Sequence, residues 1–132
     1  MITIGIRAEP LAINFVIYDS EQRSIINSEK IKIPKALSLP DSLKYVRVNI
    51  LDVLREYEVE SAGIRITESS SQTVKIQRIQ NEAVIIEAFS SSPLKKYFCG
   101  QVATITKLLN IERADFKRYV DGISAFTEVD NW

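Results

Sequence analysis

The sequence predicts an α/β domain built on one mixed five-stranded sheet with helices on its faces. Three segments rich in β-branched residues open the chain and are joined by short polar turns, which is typical of an antiparallel meander. Segments of helical and strand periodicity then alternate along the rest of the chain. A meander followed by helix–strand crossovers gives a sheet that is antiparallel on one side and parallel on the other.

The meander is predicted within residues 1–33. Its strands are residues 2–6, 11–18 and 24–33, separated by turns at residues 7–10 and 19–22. In the second strand the side chains at alternate positions, from Leu11 to Ile17, point to one face of the sheet. Pro10 cannot donate a hydrogen bond to a neighbouring strand, so we place it in the first turn.

Two helices are predicted from apolar residues at helical spacing. The first, residues 41–57, follows Ser38 as N-cap. Its predicted inward residues are Leu43, Val46, Ile50, Val53, Leu54 and Tyr57. The second helix, residues 72–89, follows a run of serines, and its predicted inward residues are Val74, Ile76, Ile79, Ala83 and Ile86.

The remaining elements complete the crossovers. Residues 61–67 and 94–98 are the fourth and fifth strands, and residues 101–109 and 112–120 are two further helices. Because crossovers between parallel strands are right-handed, we expect the fourth strand beside the first and the fifth outside the fourth.

Composition limits the chemistry that the chain can perform. At 132 residues it is expected to form a single domain, residues 1–132. The absence of histidine and the presence of one cysteine, Cys99, exclude Ser-His and Cys-His catalysis and imidazole-based zinc sites. A metal would have to be magnesium or manganese on Asp and Glu oxygens. Lys plus Arg and Asp plus Glu number 17 each, and this zero net charge counts against a broadly basic nucleic-acid binder.

The sequence also indicates a location. No apolar segment approaches the ~20 residues needed to span a bilayer, and no signal-peptide pattern opens the chain. A lone cysteine cannot form an internal disulfide framework. We therefore expect a cytoplasmic domain with no membrane partner.

Three short phrases resemble a known family. Gly5-Ile6-Arg7-Ala8-Glu9 aligns with a strand that ends in Gly-Ile-Asp-Pro-Gly, and Ile17-Tyr18-Asp19 aligns without a gap with a strand that ends in Val-Ile-Asp. Ala62-Gly63-Ile64-Arg65 occupies the place of a fourth strand that ends in a glutamate. The phrases and the element order resemble the ribonuclease H-like fold, and within it the RuvC branch of Holliday-junction resolvases.

The resemblance implies a nuclease architecture with an altered site. Family members hold two magnesium ions with carboxylates from the first strand, the fourth strand and a C-terminal helix. At the first two of these positions this chain has Arg7 and Arg65, and a guanidinium repels a cation. The chain ends at Trp132, where the resemblance would place the C-terminal helix, so we expect its acids to be missing. The expected function is therefore nucleic-acid binding or scaffolding by a catalytically degenerate domain.

The two arginines allow two interpretations, and the nearby acids suggest a third. Arg7 and Arg65 could bind a phosphate or a partner's carboxylate, or they could pair with Glu9 and Glu68 in a solvated charge network. Alternatively, acids near the expected positions form a relocated magnesium or manganese site of an active endonuclease, with Glu9 and Glu68 as metal ligands. The other candidate acids for that site are Asp19, Asp121 and Asp130.

A basic segment near the C-terminus is the second candidate nucleic-acid surface. Its candidate binding residues are Lys95, Lys96, Lys107, Lys117 and Arg118, and they are interleaved with the aromatic residues Tyr97, Phe98, Phe116 and Tyr119. This combination suits backbone contact and base stacking on DNA or RNA, and it equally suits amphipathic helices with a wet basic face. A third class of function is a protein-interaction module without nucleic acid, such as a homodimer packed through a helix face.

Overall fold

The computed structural model describes residues 1–70, 72–109 and 112. Its elements in chain order are β1 (Ile2–Glu9), β2 (Ala12–Asp19), β3 (Ser24–Lys32), α1 (Leu39–Glu56), β4 (Ser61–Arg65), α2 (Ile76–Ser90), β5 (Lys96–Gly100) and α3 (Val102–Leu109). The strands form one sheet in the order β3-β2-β1-β4-β5. The β3-β2-β1 pairs are antiparallel, and the β1-β4 and β4-β5 pairs are parallel. The predicted fold class and strand order are confirmed, while the predicted helix 112–120 lies outside the described residues.

The first strand is longer than predicted. Residues 7–9 were expected in a turn, but Arg7, Ala8 and Glu9 continue the ladder with β2. Pro10 and Leu11 alone form the turn, so the strand can continue to Glu9. The side chain of Ala8 is then on the core face, where it is fully buried. Arg7 and Glu9 are therefore held by strand pairing and do not lie in a turn.

One face of the sheet forms the hydrophobic core. Alternate side chains of the three central strands are buried on this face, since side-chain direction alternates along a strand. Helices α1 and α2 pack against each other, and α2 lies against β1 and β4. The buried residues of the sheet are Ile4, Ile6, Ala8, Ile13, Phe15, Ile17, Ala62 and Ile64.

Helix α1 has the predicted inward face. Val46, Ile50, Val53 and Leu54 are buried against the sheet. The hydroxyl of Ser38 accepts a hydrogen bond from the backbone N–H of Asp41 at 3.3 Å, as expected of an N-cap. Among the described residues, no helix is both long and apolar enough to cross a membrane.

The predicted inward face of α2 is wrong. Val74, Ile76 and Ile79 are 52%, 70% and 41% exposed, Ala83 is also exposed, and Ile86 is half-buried. The buried residues are Asn81, Glu82, Ile85, Ala88 and Phe89. The apolar periodicity misleads because two polar side chains are buried with hydrogen-bond partners, which removes the usual cost of burying them.

Candidate functional site

The second face of the sheet differs in character from the core face. Residues that pair in register share a face, so the pairing defines rows that cross β1 and β4. These rows are Thr3–Ser61, Gly5–Gly63 and Arg7–Arg65. We call this side the polar face. It also carries Glu9 on β1, Asn14 and Val16 on β2, Lys30 on β3, and Lys96, Phe98 and Gly100 on β5.

The structure brings Arg7 and Arg65 together. They are direct partners at the carboxyl ends of the parallel strands β1 and β4. Neighbouring strands lie about 4.8 Å apart, so the two side chains start side by side. The same row continues through Asn14 to Lys30, which adds a third cation on the meander side.

The arginine pair creates a local positive potential. Arg65 is half-buried, and burial lowers the pKa of its guanidinium, with the charge of Arg7 as the next cause. Glu68 acts in the opposite direction on this pKa, and Arg78 lowers it further. Arg65 nevertheless remains charged near neutral pH, because an arginine side chain loses its proton only in strong base. Arg7 is exposed, so the positive end of the row faces solvent.

Glu9 is engaged within the sheet. Its carboxylate accepts a hydrogen bond from Asn14 Nδ2 at 2.7 Å and lies 3.2 Å from Lys30 Nζ. The hydrogen bond from Asn14, followed by Lys30, lowers the pKa of this carboxyl. Arg7 contributes a smaller attraction, so the ion pair of Glu9 is with Lys30 and the predicted pairing with arginine is secondary.

Glu68 is engaged at the start of α3. Its Oε1 accepts a hydrogen bond from the backbone N–H of Val102 at 2.7 Å. The first N–H groups of a helix have no partner within the helix, and the carboxylate supplies one. The positive end of the helix dipole also stabilises its negative charge. Glu68 therefore links the end of β4 to α3.

The described acids do not fit a pair of magnesium ions. Asp19 pairs with Ile2 at the other end of β1, seven positions or about 23 Å from Glu9. Its carboxylate accepts the backbone N–H of Glu21 at 2.9 Å. Within residues 1–70, 72–109 and 112, no three Cys, Asp or Glu side chains converge on a point that could hold a metal. Asp121 and Asp130 lie outside the described residues.

Sequence reasoning missed Glu82, a buried carboxylate of α2 that binds the segment after β4. This residue is 5% exposed and accepts hydrogen bonds from the backbone N–H of Thr67 at 3.0 Å and from its hydroxyl at 3.0 Å. Arg78 Nε completes the set at 3.0 Å. The four-residue spacing of Arg78 and Glu82 was the available signal. The carboxylate fixes the segment that leaves β4 two residues after Arg65.

Asn81, the neighbour of Glu82, fixes the other arginine-bearing strand. Its Nδ2 donates to the backbone carbonyl of Glu9 at 2.9 Å and to that of Pro10 at 3.3 Å. Adjacent polar residues of α2 therefore hold the carboxyl ends of both β1 and β4. This arrangement keeps Arg7 and Arg65 at a fixed separation.

The basic residues near the C-terminus do not join the arginine pair. Lys96 pairs with Ser61, four positions or about 13 Å along the strands from the Arg7–Arg65 row. Lys95 forms an ion pair with Glu60 at 3.0 Å, and the exposed Lys107 lies in the last turn of α3. Lys117 and Arg118, like Phe116 and Tyr119, lie outside the described residues.

The two described aromatic residues of β5 lie on opposite faces. Tyr97 contacts Phe89 on the core side, with 5.8 Å between ring centroids, which supports a packing role. Phe98 lies on the polar face beside Gly63, and its ring is close to Gly100. Only Phe98 is thus placed on the same face as the arginine pair.

Comparison with known proteins establishes the fold. No protein-family model matches the sequence, and no curated protein matches it. The structure of RuvC from Thermus thermophilus is similar with a TM-score of 0.68 at 13% identity, over 86% of this chain and 71% of RuvC. The structure of T. thermophilus RuvC in complex with a Holliday junction substrate gives 0.65 at 12% identity, over 83% of this chain and 72% of that one.

A viral protein shares the same architecture. The fowlpox virus Holliday junction resolvase is similar with a TM-score of 0.52 at 15% identity, over 99% of this chain and 82% of the resolvase. The chain therefore has the ribonuclease H-like fold of RuvC, and the predicted resemblance is confirmed at the level of fold.

The buried position of Glu82 predicts a loss of stability on neutralisation. Glu82→Gln removes the charge that balances Arg78 and weakens the contacts to Thr67, so we expect the free energy of unfolding in urea to fall by about 2 kcal/mol. Glu87→Gln is the matched control, because Glu87 lies on the same helix and pairs with Arg47 in solvent. Equal urea midpoints for the two variants would contradict a structural role for Glu82.

The contacts of Glu9 predict a shifted titration. Because its pKa is lowered in the folded protein, the ionised carboxylate stabilises the fold above its unfolded pKa, and this contribution is lost as pH falls through the folded pKa. In a carboxyl-carbon NMR titration, Asn14→Ala and Lys30→Ala should each raise the pKa of Glu9, because each removes a contact that lowers it. Lys44→Ala, on α1, is the control and should leave it unchanged. A Glu9 pKa that does not move in Asn14→Ala would refute this assignment.

Proposed function

We propose that this chain is a non-catalytic nucleic-acid-binding or scaffolding domain, in which Arg7 and Arg65 form a phosphate-binding locus. The observation that carries the proposal is their direct pairing at the carboxyl ends of β1 and β4. In the resemblance to resolvases, these two positions belong to metal-binding carboxylates. The likeness to RuvC, whose structure with a Holliday junction substrate is known, supports DNA as the ligand.

The chemistry of the pair suits a phosphate. A guanidinium presents a planar fork of N–H donors that matches two oxygens of a phosphate, and two adjacent guanidiniums can bind one group from both sides. The zero net charge of the chain means that attraction must come from this local cluster. Binding should therefore weaken with salt in proportion to the few phosphates contacted.

Loss of catalysis is part of the proposal. Two arginines stand at the acid positions, and Glu9 and Glu68 are each engaged by internal donors. An active endonuclease that uses magnesium or manganese would need those two carboxylates released and a further acid, with Asp121 and Asp130 as the candidates. We also place the domain in the cytoplasm, because its single cysteine, Cys99, suits a reducing compartment.

A second candidate function, protein interaction, is favoured by the exposed side of α2. We call Ile76, Ile79 and Ala83 of α2, together with Val74 just before the helix, the α2 stripe; its three large side chains are at least 41% exposed. The side chains of Gln77 and Gln80 lie beside it, in a groove that also includes Leu11 and Leu39. We assign a second copy of this chain as the occupant. A glutamine amide both donates and accepts hydrogen bonds, so it can pair with the same residue of a second copy. Within residues 74–83, Lys75 is the single charged residue outside the Arg78–Glu82 ion pair, so two copies would meet with little charge repulsion.

The phosphate-binding proposal is tested with a charge-matched pair of variants. Arg7→Ala combined with Arg65→Ala should weaken DNA binding at least tenfold, and the slope of log affinity against log salt should fall by about 2, since two phosphate contacts are lost. Arg47→Ala combined with Arg55→Ala removes the same charge from the surface of α1 and should have little effect. Fluorescence anisotropy with labelled DNA measures both quantities.

Two results would contradict this proposal. Equal affinity of the two double variants would show that the arginine pair does not bind phosphate. Cleavage of branched or linear DNA by the unmodified chain in magnesium or manganese, lost in Glu9→Gln and Glu68→Gln, would establish the nuclease alternative.

The protein-interaction candidate predicts self-association. Sedimentation equilibrium should show a dimer that Ile76→Asp converts to monomer, because a buried carboxylate without a partner is costly at an apolar interface. Val48→Asp is the matched control, since Val48 is also an exposed apolar residue but lies on α1. A monomer at all concentrations, or a dimer that survives Ile76→Asp, would exclude the α2 stripe as the dimer interface.

A further inference from the structure

We propose that the polar face carries a path for a single nucleic-acid strand, which runs from the Arg7–Arg65 pair over Gly5 and Gly63 to Lys96. The inference rests on the proposed nucleic-acid binding and names the form of the ligand: single-stranded segments in preference to duplex. It is carried by the cations at the two ends of the path and by the character of the residues between them.

The residues between the two cationic ends are not those of a second hydrophobic core. On the core face, β1 and β4 present the large apolar side chains Ile4, Ile6 and Ile64. On the polar face the same strands present hydroxyls at Thr3 and Ser61 and hydrogen atoms at the two glycines. A surface of small hydroxylated residues and arginines offers little apolar area against which a helix could pack, and it suits a hydrated, charged ligand.

The glycine pair leaves space that packing within the described residues does not require. Gly5 and Gly63 are direct partners in the middle of the two central strands. A Cβ atom added at either position would meet no atom of residues 1–70, 72–109 or 112 within 4 Å, and neither glycine lies in the left-handed region of φ. Glycine inside a strand weakens it, and one reason for its presence there is close approach by a ligand or another backbone.

The dimensions suit one strand. From the Arg7–Arg65 row to the Thr3–Ser61–Lys96 row is four strand positions, or about 13 Å, so the path spans a segment of only a few nucleotides. Val16 on β2 and Phe98 on β5 border the glycines, three strand spacings or about 14 Å apart. A single nucleic-acid backbone can lie against the sheet between these flanking side chains. A duplex is too wide for this space and would contact only the ends of the side chains.

Both ends of the path are positive. Arg7 is exposed at one end, and Lys96 is exposed at the other. The acids closest to the arginine end are engaged elsewhere: Glu9 by Lys30 and Asn14, and Glu68 by the start of α3. A strand that follows the path therefore meets cations at its two ends, and the described acids Glu9 and Glu68 at the arginine end already have partners.

The test compares Gly63→Val with Ser28→Val. Each substitution adds a branched side chain to the polar face, but Ser28 lies on β3, in the Gly5–Gly63 row and outside the path. With a labelled ten-nucleotide single-stranded oligothymidine, we expect Gly63→Val to bind at least tenfold more weakly than the unmodified chain and Ser28→Val to bind equally. Lys96→Ala should weaken this binding about threefold. The unmodified chain should bind the oligothymidine at least tenfold more tightly than a blunt duplex of equal length.

Thermal unfolding checks each variant. Valine favours strands and has open space at Gly63, so Gly63→Val should unfold no earlier than the unmodified chain. If it does not fold, Gly63→Ala takes its place, with at least a threefold loss expected. Unchanged oligothymidine binding by the folded glycine variant and by Lys96→Ala overturns the strand path, and so does equal affinity for single strand and duplex. If Arg7→Ala with Arg65→Ala still weakens binding in that case, the proposed function stands without the path. If the unmodified chain binds neither nucleic acid, both proposals fail.

Discussion

The parallel pairing of β1 with β4 sets the position of every group in the candidate site. It makes Arg7 and Arg65 direct neighbours and, two positions earlier, places Gly5 against Gly63. The same pairing puts Ile6 against Ile64 on the opposite face, where burial of both side chains opposes any slip in register. A shift by one residue would turn the isoleucines to water and the arginines into the core. The hydrophobic core therefore specifies the geometry of the charged face.

Helix α2 reinforces that geometry through polar groups that it buries. Asn81 binds the carbonyls that end β1, and Glu82 binds the segment that follows β4. These bonds act at the ends of the strands, where ladder pairing stops and each chain would otherwise be free to separate. The helix rotates its polar residues inward to make them and leaves Ile76 and Ile79 on the surface. The fixed arginine pair and the exposed α2 stripe are thus two consequences of one helix orientation.

This orientation marks the limit of what the sequence could predict. Strand order and the proximity of Arg7 and Arg65 follow from the meander, from right-handed crossovers and from alternation along each strand, which are local or topological rules. The inward face of α2 depends instead on whether Glu82 finds donors, and the donors belong to Thr67, fifteen residues away. Such partners are visible only when the chain is folded. The predicted length of β1 was wrong for a similar reason. Arg7 and Glu9 are polar residues next to Pro10, which is typical of a turn, and only their pairing with β2 shows that they belong to the strand.

A chain with zero net charge can still present a local cluster of positive charge. Among the described acids, Glu9, Glu68 and Glu82 are each engaged by donors that also hold the fold together. Arg7 is exposed to solvent on the polar face. Zero net charge therefore describes the whole chain, while Arg7 and Arg65 give one end of the polar face a local excess of positive charge, which repels a metal cation.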